Sequence, residues 1–386
     1  MLIRVAPFTS LRSGRFYFLA DDELLEILAQ VRDPHAVQPH LRKCFDMIQK
    51  LNFGKGVDIL GMVSPKGEDV PFVKLVKARG SVEEWLTTIQ EMMQTTVKAR
   101  LKECTFDYHN HSRTDWITEA GHTGQSIATA AQIMWTAETE RVLSLAGDEL
   151  RTEMAKWEEI NCSTLLDMTA IVRKKIPKLL RRIVVALVTT DVHARDIVIK
   201  LNRDKVDTVG NFTWQQQLRY YWDTDKDECV WKHGNAQNLY QYEYMGCASR
   251  LVITPLTDRC WLTITGAMHL SLGASPAGPA GTGKTESSKD LAKAIGTFCV
   301  VFNCSDQIDY KMLAKLFSGL AQCGCWTCLD EFNRIDIEVL SVVAQQLSTL
   351  RIGRLQRRER ITFSGRNILL LPHIVIVTMN PGYAGR

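Results

Sequence analysis

Gly278-Pro279-Ala280-Gly281-Thr282-Gly283-Lys284-Thr285 is the stretch on which the reading of this 386-residue chain turns. It fits the pattern G-x-x-x-x-G-K-[ST] at every fixed position. The glycines let the backbone turn tightly enough for successive N–H groups to point inward at phosphate oxygens. A helix that starts at the end of the loop adds the positive end of its dipole. In that arrangement Lys284 reaches the β- and γ-phosphates, and the Thr285 hydroxyl is placed to hold Mg²⁺. All eight residues are therefore candidate nucleotide-binding residues.

Downstream, Cys325-Trp326-Thr327-Cys328-Leu329-Asp330-Glu331 reads as a buried strand ending in two carboxylates. The first, Asp330, is placed to hold Mg²⁺, and the second, Glu331, to orient and activate an attacking water. That pair points to hydrolysis. The segment Ile374–Thr378 then leads to Asn380, a polar amide at the tip of a further strand. Ligands of open α/β sheets bind at that edge, so Asn380 is a candidate for holding the water from the other side. Upstream, Ser271–Ala277 is poor in valine and isoleucine and predicts a weak strand.

Outward from the loop, apolar segments at Cys299–Phe302, Trp326–Leu329 and Ile374–Thr378 alternate with helical patterns. The helices are expected over Lys284–Ile295, Asp309–Leu320 and Asp336–Leu350. This alternation predicts an α/β fold with a parallel sheet. A hairpin is expected from Ile361–Phe363 to Ile368–Leu371, turning at Ser364–Asn367.

Residues 1–235 read as mostly helical. Ser81 with Glu84 forms a capping-box signature, followed by Trp85, Ile89, Met92, Met93, Val97 and Leu101 at helical spacing. An earlier helix is expected from about Asp21 to Arg32, with Leu24, Leu25, Leu28 and Val31 on one side, stopped at Asp33-Pro34. A hairpin is expected from Val57–Met62 to Val70–Val76. Trp135, Val142, Leu143, Ala146 and Leu150 predict one further helix, and another spans about 157–176.

Composition narrows the function classes. Hydrophobic residues are 45% and charged residues 23%, as in an ordinary globular chain. No apolar run approaches the ~20 residues of a membrane helix, so no membrane partner is expected. Met1–Phe8 has no sustained apolar stretch, and a secretory leader is not expected. The 11 cysteines show no framework spacing and read as reduced thiols. Strand alternation sends Cys325 and Cys328 to opposite faces, which argues against a metal site at 323–328. His109-Asn110-His111 lacks a third ligand and reads as a loop. A net charge of +4 demands no polyanion. The basic stretch from Arg173 to Arg182 lacks aromatic interleaving and reads as a charged helix face around Pro177. The arginines at 351, 354, 357, 358 and 360 read as a solvated or docking surface, so no nucleic-acid partner is expected.

The phosphate loop, Asn303–Asp306, Asp330–Asp336, Val339–Gln346 and Thr378–Arg386 together resemble the first AAA+ module of a dynein heavy chain. Tyr242–Tyr244 and Leu251–Arg259 are similar to the segment entering that module. Arg15–Leu19, Asp22–Leu28 and Trp214–Arg219 resemble the dynein linker, the lever that bends across the motor ring. Lys77-Ala78-Arg79-Gly80 before Val82–Trp85 is similar to axonemal members. The likeness covers essentially the whole chain and implies a linker-like domain over 1–235 and an AAA+ ATPase module over 236–386.

By position, the resemblance implies Lys284 and Thr285 as the phosphate-loop pair, Asp330 as the metal carboxylate, Glu331 as the base and Asn380 as the first sensor. It implies Val252, Ile253 and Pro255 as adenine contacts, and the hairpin at 361–371 as an insertion facing the linker. ATP and Mg²⁺ are the implied ligands. Microtubules, reached through parts of the motor not in this sequence, are the implied track; intermediate and light chains and other heavy chains are the implied partners. The implied location is the cytoplasm and cytoskeleton, in the axoneme of a cilium or flagellum.

The family's fifth strand, its helical lid with a second sensor arginine, and the neighbouring modules lie beyond the sequence read here. The polypeptide alone is therefore expected to bind nucleotide weakly, hydrolyse it slowly and aggregate. Two other readings stay open. One is a non-motor nucleotide-binding or assembly fragment or short isoform; the other is an unrelated phosphate-loop enzyme.

Overall fold

The Ser81 hydroxyl accepts a hydrogen bond from the Glu84 amide, and the Glu84 carboxylate accepts one from the Ser81 N–H. This reciprocal cap opens the helix Val82–Asp107, and it belongs to a computed structural model that describes residues 14–29 and 33–380. Trp85, Ile89, Met93, Val97 and Leu101 are buried along one face, with Met92 half-buried beside them. Each fully buried aliphatic side chain of this kind contributes roughly 1.5–3 kcal/mol.

The first half runs through α1 (Asp21–Ala29), α2 (Leu41–Cys44), β1 (Lys50–Phe53), β2 (Asp58–Val63) and β3 (Asp69–Lys77). It continues with α3 (Val82–Asp107), α4 (Arg113–Thr118), α5 (Gly124–Leu143), α6 (Gly147–Arg173), α7 (Lys178–Arg203) and α8 (Phe212–Gln215). Two antiparallel sheets interrupt the helices. One is β1–β2–β3, and the other joins β4 (Arg219–Asp223), β5 (Glu228–His233) and β6 (Ala236–Leu239).

Several expectations shift here. In α1 the buried stripe is Leu24 and Ile27, while Leu25 is 47% exposed. Adjacent helical positions are about 100° apart, and the face that α1 buries is narrow enough to take Leu24 and Ile27 and leave Leu25 in solvent. The Leu28 side chain and Val31 lie outside the described residues. Asp33 accepts from the His35 amide and caps a 3₁₀ turn over Pro34–His40, so the chain turns again directly after the expected stop. The single helix expected through Trp135–Leu150 is two. The chain breaks after Leu143, Ala146 is extended, and Gly147 takes φ +59°. Leu150 is buried all the same, from the next helix. Pro177 caps α7, and Arg181 donates to the Val172 and Lys174 carbonyls at the end of α6, so part of the basic stretch closes a helix terminus.

The second half contains α9 (Pro255–His269), α10 (Lys284–Ala294), β7 (Cys299–Asn303), α11 (Tyr310–Cys323), β8 (Trp326–Asp330), α12 (Ile337–Leu355), β9 (Arg360–Phe363), β10 (Arg366–Leu369) and β11 (Ile374–Val377). β7, β8 and β11 form a parallel sheet in the order β11–β8–β7. Parallel bridges Ala274–Ile376 and Ala277–Met379 place the segment before the phosphate loop outside β11. Among the described residues nothing pairs with its other edge. Helices cover both faces, as parallel sheets require. Trp326, Cys328, Ile374 and Ile376 share a core with Leu291 and Ala292 of α10. Leu329 faces a second core with Leu313, Phe317 and Val343 of α11 and α12. The fold is thus a mostly helical region followed by an α/β core with a parallel sheet.

Ser364 and Gly365 both take positive φ, +48° and +76°, and make the two-residue turn of the β9–β10 hairpin. Residues of this hairpin and Tyr17–Asp21 line a cleft of about 1260 Å³. The first core unites Phe16, Trp85 and Trp116 with Tyr240, Leu291 and Trp326. Among the described residues no helix is long and apolar enough to cross a membrane.

Candidate functional site

The loop before α10 is shaped by Gly281 (φ +77°) and Gly283 (φ +79°), left-handed positions that favour glycine. The Thr282 hydroxyl donates to the Pro279 carbonyl at 2.9 Å and tightens the turn. Lys284 extends across the loop. Its ammonium donates to the Gly278 and Pro279 carbonyls at 2.8 and 2.6 Å and to Asn380 Oδ1 at 2.8 Å.

The next residue of α10, Thr285, donates its hydroxyl to Asp330 Oδ1 at 2.6 Å. Thr378 donates to the same oxygen. Burial pushes the Asp330 carboxyl up, but bonds from Thr285, Thr378 and the Glu331 amide, with the Lys284 charge, prevail. The group is held below the usual carboxylate range. Glu331 sits in the left-handed region at φ +54°. A glutamate there stores on the order of 1–3 kcal/mol of backbone strain, which the surrounding bonds hold in place. Its carboxylate meets Arg334 Nε at 2.8 Å and Asn380 Nδ2 at 3.5 Å.

The structure therefore brings Lys284, Thr285, Asp330, Glu331 and Asn380 to one sheet edge. The entry segment lies apart from these contacts. Val252 is 70% exposed, Pro255 is exposed at the first position of α9, and Ile253 packs half-buried against the core. The segment is anchored by Arg250, whose Nε is 3.2 Å from Asp290 Oδ1 on α10. Trp261 on α9 donates to the Ser287 carbonyl at 3.0 Å, fixing α9 against α10.

Sequence reasoning missed Thr378, Arg334, Arg250 and Asp290. For Thr378 a signal existed: it lies two residues before Asn380 and so shares its face by strand alternation. Arg250 and Asp290 are paired only by the fold.

The other metal-like features do not assemble. Among the described residues no group of three or more His, Cys, Asp or Glu side chains is placed to hold a metal ion. Burial pushes the Cys304 and Cys328 thiols up to about 12, so they are protonated core side chains. His111 and His122 both pair with Asp107.

The donor set at the loop fits a divalent cation: a hydroxyl and an ionised carboxylate are hard oxygen ligands. The adjoining amides and lysine fit the phosphates such a cation accompanies.

Comparison with known proteins agrees with this geometry. Residues 240–386 match the family model described as the hydrolytic ATP binding site of dynein motor region. Residues 12–104 match dynein heavy chain, N-terminal region 2. The chain is 54% identical to human dynein axonemal heavy chain 6 over 392 residues, covering 96% of this chain and 9% of that one. It is 48% identical to human dynein axonemal heavy chain 1, again over 96% of this chain and 8% of the relative. To the Chlamydomonas reinhardtii dynein-1-beta heavy chain, flagellar inner arm I1 complex, it is 46% identical over 96% of this chain and 8% of the relative. The chain thus spans 8–9% of the length of these relatives. A phosphate loop facing two strand-end carboxylates, and a likeness to the axonemal type that runs through the helical region as well, lead to one family: the chain belongs to the dynein heavy chains.

Proposed function

We propose that this chain is the ATP-binding and hydrolysing part of an axonemal dynein motor that drives minus-end-directed movement along microtubules. Residues 1–235 serve as the linker part and 236–386 as the first AAA+ module. The observation that carries the reading is the 2.6 Å bond from Thr285 to Asp330, which joins the loop helix to the strand-end carboxylates. Microtubules, reached through other parts of the motor, intermediate and light chains, and other heavy chains are the proposed partners. A ciliary or flagellar axoneme is the proposed location.

In this reading the loop amides and Lys284 hold the phosphates, and Val252, Ile253 and Pro255 lie against the base. Thr285 and Asp330 hold Mg²⁺, which neutralises phosphate charge when bound. Glu331 accepts a proton from water as that oxygen bonds to the γ-phosphorus. The bond between the γ-phosphorus and the bridging oxygen breaks, and ADP leaves with its electron pair. Asn380, bonded to Lys284 and near Glu331, orients both. Closure around the γ-phosphate moves the β9–β10 hairpin against the cleft it shares with Tyr17–Asp21, and so biases the lever.

The test is labelled-ATP binding and turnover by this chain and by Lys284→Ala and Glu331→Gln. Binding lost in Lys284→Ala, and hydrolysis lost in Glu331→Gln with binding kept, is the expected pattern. Binding without measurable turnover in any version favours a nucleotide-binding fragment or short isoform without independent activity. Equal binding by Lys284→Ala and the parent chain overturns the phosphate-site assignment.

A further inference from the structure

Thr378 is 1% exposed and directly follows β11 beside the two carboxylates. All of its polar groups are engaged. Its N–H donates to the Leu329 carbonyl at 2.9 Å, and its carbonyl accepts from the Phe332 amide at 3.0 Å. Its hydroxyl donates to Asp330 Oδ1 and accepts the Glu331 N–H at 3.1 Å. One hydroxyl therefore touches consecutive acidic residues in opposite senses, as donor to the first and acceptor to the second.

We propose that Thr378 is a positioning residue that sets Asp330 toward the metal and Glu331 toward the water. The proposal rests on the nucleotide-site reading above.

The argument is one of polarity and strain. A hydroxyl has a single hydrogen, and here the carboxylate takes it, so the lone pairs are left for the Glu331 amide. Glu331 adopts φ +54°, a backbone state that persists only where neighbours over-determine it. Its N–H bond to Thr378 is one such constraint, and the Phe332 N–H bond to the Thr378 carbonyl is the next. Asp330 Oδ1 is held between hydroxyls from α10 and from the residue after β11, so its direction is fixed from both sides of the sheet edge. Asn380 shares the face of Thr378 but serves Lys284, so the two residues do different work.

Valine keeps the shape of threonine and removes the hydroxyl, while serine keeps the hydroxyl and removes the methyl group. The test compares Thr378→Val and Thr378→Ser in the full chain, with Lys284→Ala alongside. One readout is Mn²⁺ affinity of the ATP-loaded chain by electron paramagnetic resonance, which needs no turnover. A second is hydrolysis of labelled ATP with protein in excess.

Thr378→Val is expected to bind ATP within about 3-fold of the parent, to lose about 5-fold or more in Mn²⁺ affinity, and to slow any measurable hydrolysis by about 10-fold or more. Thr378→Ser is expected to match the parent in both. Parent-like Mn²⁺ affinity in Thr378→Val overturns the proposal. So does a Thr378→Ser variant that falls as far as Thr378→Val, since packing would then be the cause. If Lys284→Ala binds ATP as well as the parent, the nucleotide-site reading fails, and the assignment of Thr378 falls with it.

Discussion

Arg15 sets its guanidinium against both oxygens of the Glu243 carboxylate, at 2.9 and 2.6 Å, although 228 residues separate them in the chain. The same group donates to the Cys44 carbonyl and to Gln90, and lies 4.7 Å from the ring centroids of both Phe45 and Phe298. Residues of the helical region and of the α/β core thus meet on one buried cation. Glu243 in turn donates its backbone N–H to the Gly296 carbonyl just after α10.

Removing one member of this pair strands the other. Arg15→Met leaves Glu243, 2% exposed, without its cation and is expected to cost about 3–5 kcal/mol. Arg15→Met combined with Glu243→Leu is expected to recover much of that loss. Urea unfolding of both variants checks this, and an equal loss in single and double variants counts against it.

Gly296 is sterically fixed. It has φ +65°, and a Cβ there would lie 2.5 Å from the Tyr240 ring. Gly296→Ala combines a left-handed alanine, about 1–2 kcal/mol, with overpacking of about 1–3 kcal/mol. A lower melting temperature is expected, with Tyr240→Leu partly rescuing it by opening the space.

Stability is expected to fall on mild acidification through buried histidines. Burial pushes His193, His233 and His373 each down to about 4. The folded chain holds fewer protons at these sites than the unfolded chain. Their contribution is therefore complete above the ordinary histidine value of about 6.5 and is lost as pH falls toward 4. Asp258 works in the opposite sense, because burial raises it to about 6, so its contribution grows on acidification. A variant difference isolates one site. His373→Gln is expected to shrink the stability lost between pH 7 and pH 5 by about 2 kcal/mol, measured by urea unfolding at both values.

Asn380 links Lys284 to Glu331. Asn380→Ala is expected to leave ATP affinity within a few-fold and to slow hydrolysis by about 100-fold. A matching loss in affinity would assign it to binding instead.

Much of this was legible in order. The phosphate loop, the strand carrying Asp330 and Glu331, and the cap at Ser81 announce themselves because each depends on residues a few positions apart. The β4–β6 sheet has no such local signal, although Tyr220, Val230 and Trp231 are buried in it. Its short strands follow long helices, and their apolar residues are too few to break the helical pattern of the region. The break at Gly147 was hidden for a related reason: two helices meeting at an angle satisfied the same apolar spacing as one. Arg15–Glu243 and Arg250–Asp290 lie beyond any local pattern. The adenine contacts proposed for Val252, Ile253 and Pro255 rest on family likeness alone, since no spacing rule marks these residues.

The segment that carries the phosphate loop is Gly273-Ala274-Ser275-Pro276-Ala277, stitched to β11 and Met379 by four backbone bonds. Two of these, Met379 N–H to Pro276 O and Gly278 N–H to Met379 O, are long at 3.3 Å. Pro276 has no N–H to add, and the small side chains grip little. In mechanical terms this makes the mount of the loop compliant while β8, zipped on both sides, is stiff. The loop thus hangs from a mount bonded along one edge, while the strand that carries Asp330 is held by a full ladder on each side.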